Sequence, residues 1–207
     1  MQFAPVKTGR NKGEETAQRV RAAALKLFAR HGYAAVAIRQ IASEVGVQPG
    51  ALYNHFPTKQ HILKNLMLTH LTGLLAAWAE FSVAAEDEDR LDRFTRFHIR
   101  YHLERADEVF IAYMELRNLE PNNFAEVETA RRRYEMILTT ILEDGAARGS
   151  YAVTDAKVTT RAIIAMLTGI PTWYRDDGRL SRADIETLYL SMVRKCVAPD
   201  PTGERLA

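Results

Sequence analysis

Between Ile38 and Phe56 the chain sets two short apolar repeats on either side of a glycine, an arrangement few folds accept. Ile38, Ile41, Ala42 and Val45 fall at i, i+3, i+4 and i+7, which is one face of a short helix. Gly46 follows at once and can take the positive φ of a tight turn. Val47 and Gln48 lead to Pro49, which suits the first turn of a new helix because its missing N–H would find no partner there. That helix is expected over 49–56. Pro57 and Thr58 break the chain, and Thr58 is placed to cap a fourth helix. Upstream, Val20, Ala24, Leu27, Phe28 and His31 line one face of a helix that starts near Glu14 and stops at Gly32. Ile38, Ile41, Ala42, Val45, Val47, Leu52 and Phe56 are the expected core, with Ala42 small enough to let one helix cross another. Two short helices about a glycine turn make a helix-turn-helix.

The residues left outside that core are Gln48, Pro49, Gly50, Ala51, Tyr53, Asn54 and His55. They are short or hydrogen-bonding side chains, suited to approaching base edges in a major groove. Charge points the same way. The chain has 207 residues and a net charge of only +2, yet residues 1–65 hold ten Lys and Arg against three acids. The remainder carries 18 cations and 23 acids. A basic head on an acidic body is the footprint of a polyanion binder.

The stretch 19–63 resembles the DNA-binding domain of TetR-family regulators. The matching residues are Ala23, Leu27, Phe28, Gly32, Ile41, Ala42, Gly46, Val47, Gly50, Leu52, Tyr53, His55, Phe56, Lys59 and Leu63. The resemblance implies that Arg39 touches DNA from the second helix, that Gln48, Pro49, Gly50 and Ala51 face bases, and that Tyr53 and His55 hold phosphates. It implies that Lys59 reaches a phosphate with a helix N-terminus behind it. Asn54 shares the outward face. Two positions depart from the family pattern. Ala37 stands where members usually carry Thr, so neither a side-chain cap nor a phosphate contact is expected there. Gln48 stands where Ser or Thr is common, and can offer a base contact instead.

Beyond residue 58 the pattern stays helical. A long helix is expected over 59–84, then amphipathic stretches over 91–104, 107–119, 124–145, 155–174 and 181–197. Acidic residues over 86–89, Pro121, Gly149, the pair Asp176 and Asp177 with Gly178, and Pro199 act as breakers. Strand-like alternation is nearly absent. The expected fold class is all-α: a basic arm (1–13), a helix-turn-helix head (14–57), a helical ligand-binding and dimerisation body (58–200) and a tail (201–207).

No nucleotide-binding, P-loop, nucleophile-elbow or zincin motif occurs in the sequence, so an enzyme is not expected and no cofactor is implied. His98 and His102, at i and i+4, offer two metal ligands without an evident third, and no metal site is expected. Cys196, the one cysteine, rules out an internal disulfide and is read as a core or interface residue. Residues 1–10 lack the apolar core of a secretory signal, and the apolar run 71–83 is interrupted by Gly73 and Glu80. A cytoplasmic protein with no membrane association is expected.

Aromatic and apolar residues cluster on the middle helices. Phe97, Tyr101, Phe110, Tyr113, Met114, Tyr134, Trp173 and Tyr174 are the candidate lining of a small-molecule pocket. Arg117 is grouped with them because guanidinium suits phosphate, as are Arg131, Arg132, Arg133 and Arg175 more loosely. The segments around Glu120 to Glu135 and Ala165 to Ile185 resemble the TetR branch that regulates fatty-acid, sterol-ring and acyl-CoA catabolism. That resemblance implies an acyl-CoA or fatty-acid-like inducer. The two apolar helices over 155–174 and 181–197 are expected to pair with their copies in a homodimer, whose twofold axis suits repression from a near-palindromic double-stranded DNA operator. An efflux-gene regulator responding to an apolar or cationic drug, a ligand-independent DNA binder and, more distantly, a helical enzyme are the alternatives.

Overall fold

The computed structural model describes residues 12–83 and 89–199, which form α-helices and one short 3-10 turn with no strand among them. The helices are α1 (Lys12–His31), α2 (Ile38–Val45), α3 (Pro49–Tyr53), α4 (Lys59–Val83), α5 (Arg90–Leu103), α6 (Ala106–Met114), α7 (Pro121–Ala147), α8 (Ala156–Thr168), α9 (Ile170–Trp173) and α10 (Arg182–Val197). The 3-10 turn, Leu116–Asn118, joins α6 to α7. Most of the expected arm and all of the expected tail lie outside the described residues, as does the acidic loop except for Asp89.

Helices α1 to α3 form the head. Val20, Ala24 and Phe28 of α1 are fully buried against Ile41, Ala42, Val45, Leu52 and Phe56, while Ile38 and Val47 are partly buried at the edge. Burying each large apolar side chain stabilises the head by roughly 1.5–3 kcal/mol. His31, expected on that buried face, is exposed. Gly46 has φ +73° and ends α2, its N–H bonding back to the helix carbonyls. The α2 N-terminus lacks a side-chain cap, since Ala37 has no acceptor. Gln40 supplies the reciprocal bond, its Oε1 accepting from Ala37 N at 2.6 Å.

Helix α4 leaves the head and crosses the whole body, packing against α1, α5, α6 and α7. Thr58 starts it, its Oγ1 accepting from His61 N. The apolar run 71–83 is the second half of this helix. The full 25-residue helix has an 18-residue window of mean hydropathy 1.3, long and apolar enough to cross a membrane. In the fold, Ile62, Leu63, Leu66, Met67, Leu71, Leu74 and Trp78 are core side chains.

Several expected helices end elsewhere than the pattern suggested. The third stops at Tyr53, where Asn54 closes it. The 107–119 stretch breaks after Met114 into the 3-10 turn. Pro121 opens α7 rather than ending a segment, because its missing N–H costs nothing in a first turn. The 155–174 stretch divides at Gly169, since Pro171 cannot donate back to Leu167 and the chain restarts as α9.

Helix α10 has two faces. Ile185, Leu190, Val193 and Val197 are buried against the body, whereas Leu188, Met192 and Cys196 are exposed. Cys196 is therefore not a core residue of this chain. Charged pairs fasten α10 to α5: Arg194 to the buried carboxylate of Asp92, and Arg100 bidentately to Glu186 at 2.7 and 2.8 Å.

Candidate nucleic-acid interface and ligand cavity

Arg39, Gln48, Pro49, Gly50, Tyr53 and Asn54 are exposed on one end of the head, and Ala51 and His55 are half-buried beside them. A Cβ added to Gly50 would meet nothing within 4 Å. The protein's own packing does not demand a glycine there. A bare backbone at this point lets another surface come close. Lys59 lies differently from its neighbours. Its ammonium sits 4.1 Å from the Tyr33 ring centroid and donates to Ala34 O at 3.4 Å. Burial lowers its pKa, opposed by the negative charge of Glu115. Here Lys59 steadies the α1–α2 turn.

A buried carboxylate ties that turn to the body. Glu115, 6% exposed at the end of α6, accepts from Tyr33 N at 3.0 Å and from the Asn118 amide. Gln60, in the first turn of α4, donates to Asn118 O at 2.7 Å and accepts from Glu120 N at 3.1 Å. The elbow between α6 and α7 thus holds the α1–α2 turn of the head and the first turn of α4. Sequence reasoning missed Glu115 and Gln60. An acid closing an apolar helix was the available sign for Glu115.

Helix α6 borders, along its length, a cavity of about 380 Å³ between α6 and α9. Phe110, Tyr113 and Met114 line it with Thr168, Pro171, Thr172 and, from α1, Ala29. Its size falls within the range of small-molecule sites. Of the nine residues expected to line a pocket, these three come together. Arg131 lies over the Tyr113 ring, 4.9 Å from its centroid, and Arg117 is exposed in the 3-10 turn. Phe97 instead packs in the core between Trp78 and Phe81, ring centroids 5.3 and 5.4 Å away. Tyr134 is 2% exposed and bonded to His98. Tyr174 is buried, Trp173 is half exposed, and neither borders the cavity. Tyr101 borders a second cleft, on the far side of α6.

A row of buried imidazoles runs between the two spaces. Tyr113 hydrogen-bonds Thr168 on the cavity wall. Thr168 Oγ1 is 3.2 Å from His98 Nε2, and Tyr134 OH is 3.1 Å from His98 Nδ1. His98 stacks on His102 with ring centroids 3.8 Å apart. His102 Nδ1 must carry its proton, because it bonds the carbonyl oxygen of His98 at 2.8 Å. His70 meets His102 edge to face at 5.8 Å. Burial pushes His98 down to about 3 and His70 to about 4, and it depresses His102 well below the ordinary range. All three are neutral at physiological pH. The pair at i and i+4 is stacked rather than splayed about an ion, and among the described residues no group of three ligating side chains can hold a metal.

An outward-facing α2–α3 pair on a basic head, beside a cavity bordered by head and body, defines a ligand-responsive class of DNA-binding regulator. Residues 20–66 match the family described as bacterial regulatory proteins, tetR family, and residues 84–197 match the tetracyclin repressor-like C-terminal domain. The chain belongs to the TetR family of transcriptional regulators, which are not enzymes. It is 26% identical over 173 residues to the HTH-type transcriptional repressor KstR2 of Mycolicibacterium smegmatis, covering 82% of this chain and 84% of that one. A tetR-family regulatory protein from Rhodococcus RHA1 superposes with a TM-score of 0.81 at 28% identity, over 91% of this chain and 98% of that one. AibR, solved with isovaleryl coenzyme A and operator DNA, shares the fold with a TM-score of 0.79 at 20% identity, over 86% and 97% of the two chains.

Proposed function

We propose that this chain is a cytoplasmic repressor that holds a near-palindromic operator as a dimer and releases it when an acyl-CoA-like catabolic intermediate enters the α6–α9 cavity. Residues 14–57 act as the DNA-binding head and 58–200 as the ligand-binding and dimerisation body. Arg39 serves phosphates, Lys59 joins it on DNA by leaving the Tyr33 ring and Ala34 O, and residues 48–55 meet the groove. Leu188 and Met192 on α10, with Val158 on α8, are exposed apolar side chains suited to pairing with a second copy.

The observation that carries the reading is Ala29. The cavity in the body has a wall belonging to α1 of the head. A ligand there presses on the DNA-binding unit directly, and through α6 on the Glu115–Tyr33 bond. A ligand releases DNA only by favouring the conformation whose heads are misplaced. Phe110, Tyr113, Met114 and Pro171 suit an acyl group. Arg131, whose guanidinium lies 4.9 Å from the Tyr113 ring centroid, and Arg117, three residues past Met114, are the groups proposed for the coenzyme phosphates. The repressor name of KstR2 and the isovaleryl coenzyme A bound to AibR support this chemistry.

The test is titration of the protein–operator complex with isovaleryl-CoA, longer-chain and ring CoA esters, and the matching free acids. An effective ester should weaken DNA binding about 5–150-fold, corresponding to coupling of about 1–3 kcal/mol. Thr172→Trp, which fills the cavity, should remove the response and leave operator affinity intact. If no ester acts and a planar cationic drug does, the efflux reading replaces this one.

A further inference from the structure

A second cleft, also about 380 Å³, lies where α1 of the head meets α4, α5 and the start of α6. Leu25 and Leu66 give it apolar walls, Arg21 and Arg105 stand on it with Glu108, and Glu104 pairs with Arg105 at 3.0 Å. His70 forms part of its surface. The His70 side chain is only 4% exposed, and neither ring nitrogen finds a hydrogen-bond partner among the described residues. A neutral imidazole needs one acceptor and one donor, so this ring, set in the cleft wall, holds an N–H and a lone pair with no partner among the described residues. Arg105 is close enough to depress the His70 pKa further, and its guanidinium lies 4.0 Å from the Tyr101 ring centroid. Gly73 leaves room beneath Tyr101; a Cβ there would come within 3.0 Å of the tyrosine hydroxyl.

We propose that this head–body cleft is a separate binding site for a compact apolar carboxylate, its carboxylate held by His70 and Arg105 and its hydrocarbon part lying between Leu25 and Leu66. A carboxylate accepts from both groups at once, and a guanidinium gives a charge-assisted bond. The Arg105 guanidinium selects an anion over an alcohol of the same shape, the ligand carboxylate displacing that of exposed Glu104. The occupant touches α1 and α4 together and so fixes the angle between head and body. The site shares no lining residue with the α6–α9 cavity.

The probe is sodium octanoate, with 1-octanol as its uncharged match, read by the imidazole carbon–proton resonances of protein labelled with 13C-histidine. Octanoate should shift the His70 resonance saturably, and octanol should require at least tenfold more. Arg105→Gln should weaken octanoate binding by about tenfold or more. Ala22→Trp, which fills the cleft from its exposed α1 rim, should abolish the shift, while Thr172→Trp in the other cavity should leave it unchanged. An unmoved His70 resonance at millimolar octanoate overturns the site. So does a shift that survives Ala22→Trp and vanishes in Thr172→Trp. Equal binding of octanol overturns the anionic class. None of these readouts depends on DNA release, so failure of the inducer proposal is seen separately.

Discussion

The imidazole planes of His98 and His102 lie 4° from parallel in the interior of the body, and both residues are fully buried. A proton on either ring would be a desolvated charge facing another imidazole, which is why the fold keeps them neutral.

Stability should therefore depend on pH in one direction. Above about pH 6.5 these histidines are neutral in both folded and unfolded chains. Below it the unfolded chain takes up protons that the native state refuses until the pH approaches about 4 for His70 and about 3 for His98. Stability is lost as pH falls through that window, by about 2 kcal/mol for each imidazole at pH 5. Denaturant midpoints measured from pH 7.5 to 4.5 should drop steeply below 6.5. His70→Gln should flatten the slope, and an unchanged slope would count against a neutral His70.

The Glu115 carboxylate offers a sharper mechanical test. Glu115→Ala leaves the Tyr33 N–H without its partner and should cost about 1–3 kcal/mol. Amide exchange should quicken around Tyr33 and in α1 while α8 and α10 stay protected. Uniform loss of protection would mean that the residue supports the whole fold rather than the head.

Contacts with DNA separate by type. Arg39→Ala should lower the slope of log affinity against log salt by about 1 and weaken all operators alike. Gln48→Ala should change the ranking of operator variants, by about 1–3 kcal/mol at the base pair concerned. The same salt slope in Arg39→Ala as in the parent excludes the phosphate role.

Assembly should hinge on the outer face of α10. Leu188→Glu with Met192→Glu alters side chains that are 43% and 45% exposed in the single chain. The substitutions should leave the protomer folded and shift sedimentation toward monomer, with operator affinity falling at least tenfold. A stable dimer of the double variant would place the interface elsewhere.

The head was readable because its constraints are local. Ile41, Ala42, Val45 and Gly46 fall within six positions at helical spacing and end in a turn residue, so periodicity and turn chemistry reveal them together even though Val20, Ala24 and Phe28, which they pack on, lie on α1. The body was less readable for a matching reason. Tyr101, Phe97 and Phe110 all look like pocket residues in one dimension, yet one lines the head–body cleft, one packs in the core and one borders the α6–α9 cavity. Only the crossing of α4, α5 and α6 separates them. Glu115 and His70 escaped notice because their partners, Tyr33 on one side and His102 on the other, lie tens of residues away. Pro171 was read as continuing a helix because neighbouring apolar residues kept the period across the break.

The pair α2 and α3 leans mainly on α1 and on each other, and the gripping elbow reaches the head through the Tyr33 backbone and Gln60 rather than through either short helix. On the proposed function, address and sensor are consequently modular. Residues 38–56 of another family member, grafted here with Gly46 and the Ile41–Ala42–Leu52 core retained, would redirect the protein to a new operator under its original chemical control. New inducer preferences at Phe110 or Met114 could arise in a gene duplicate without moving it off its promoter.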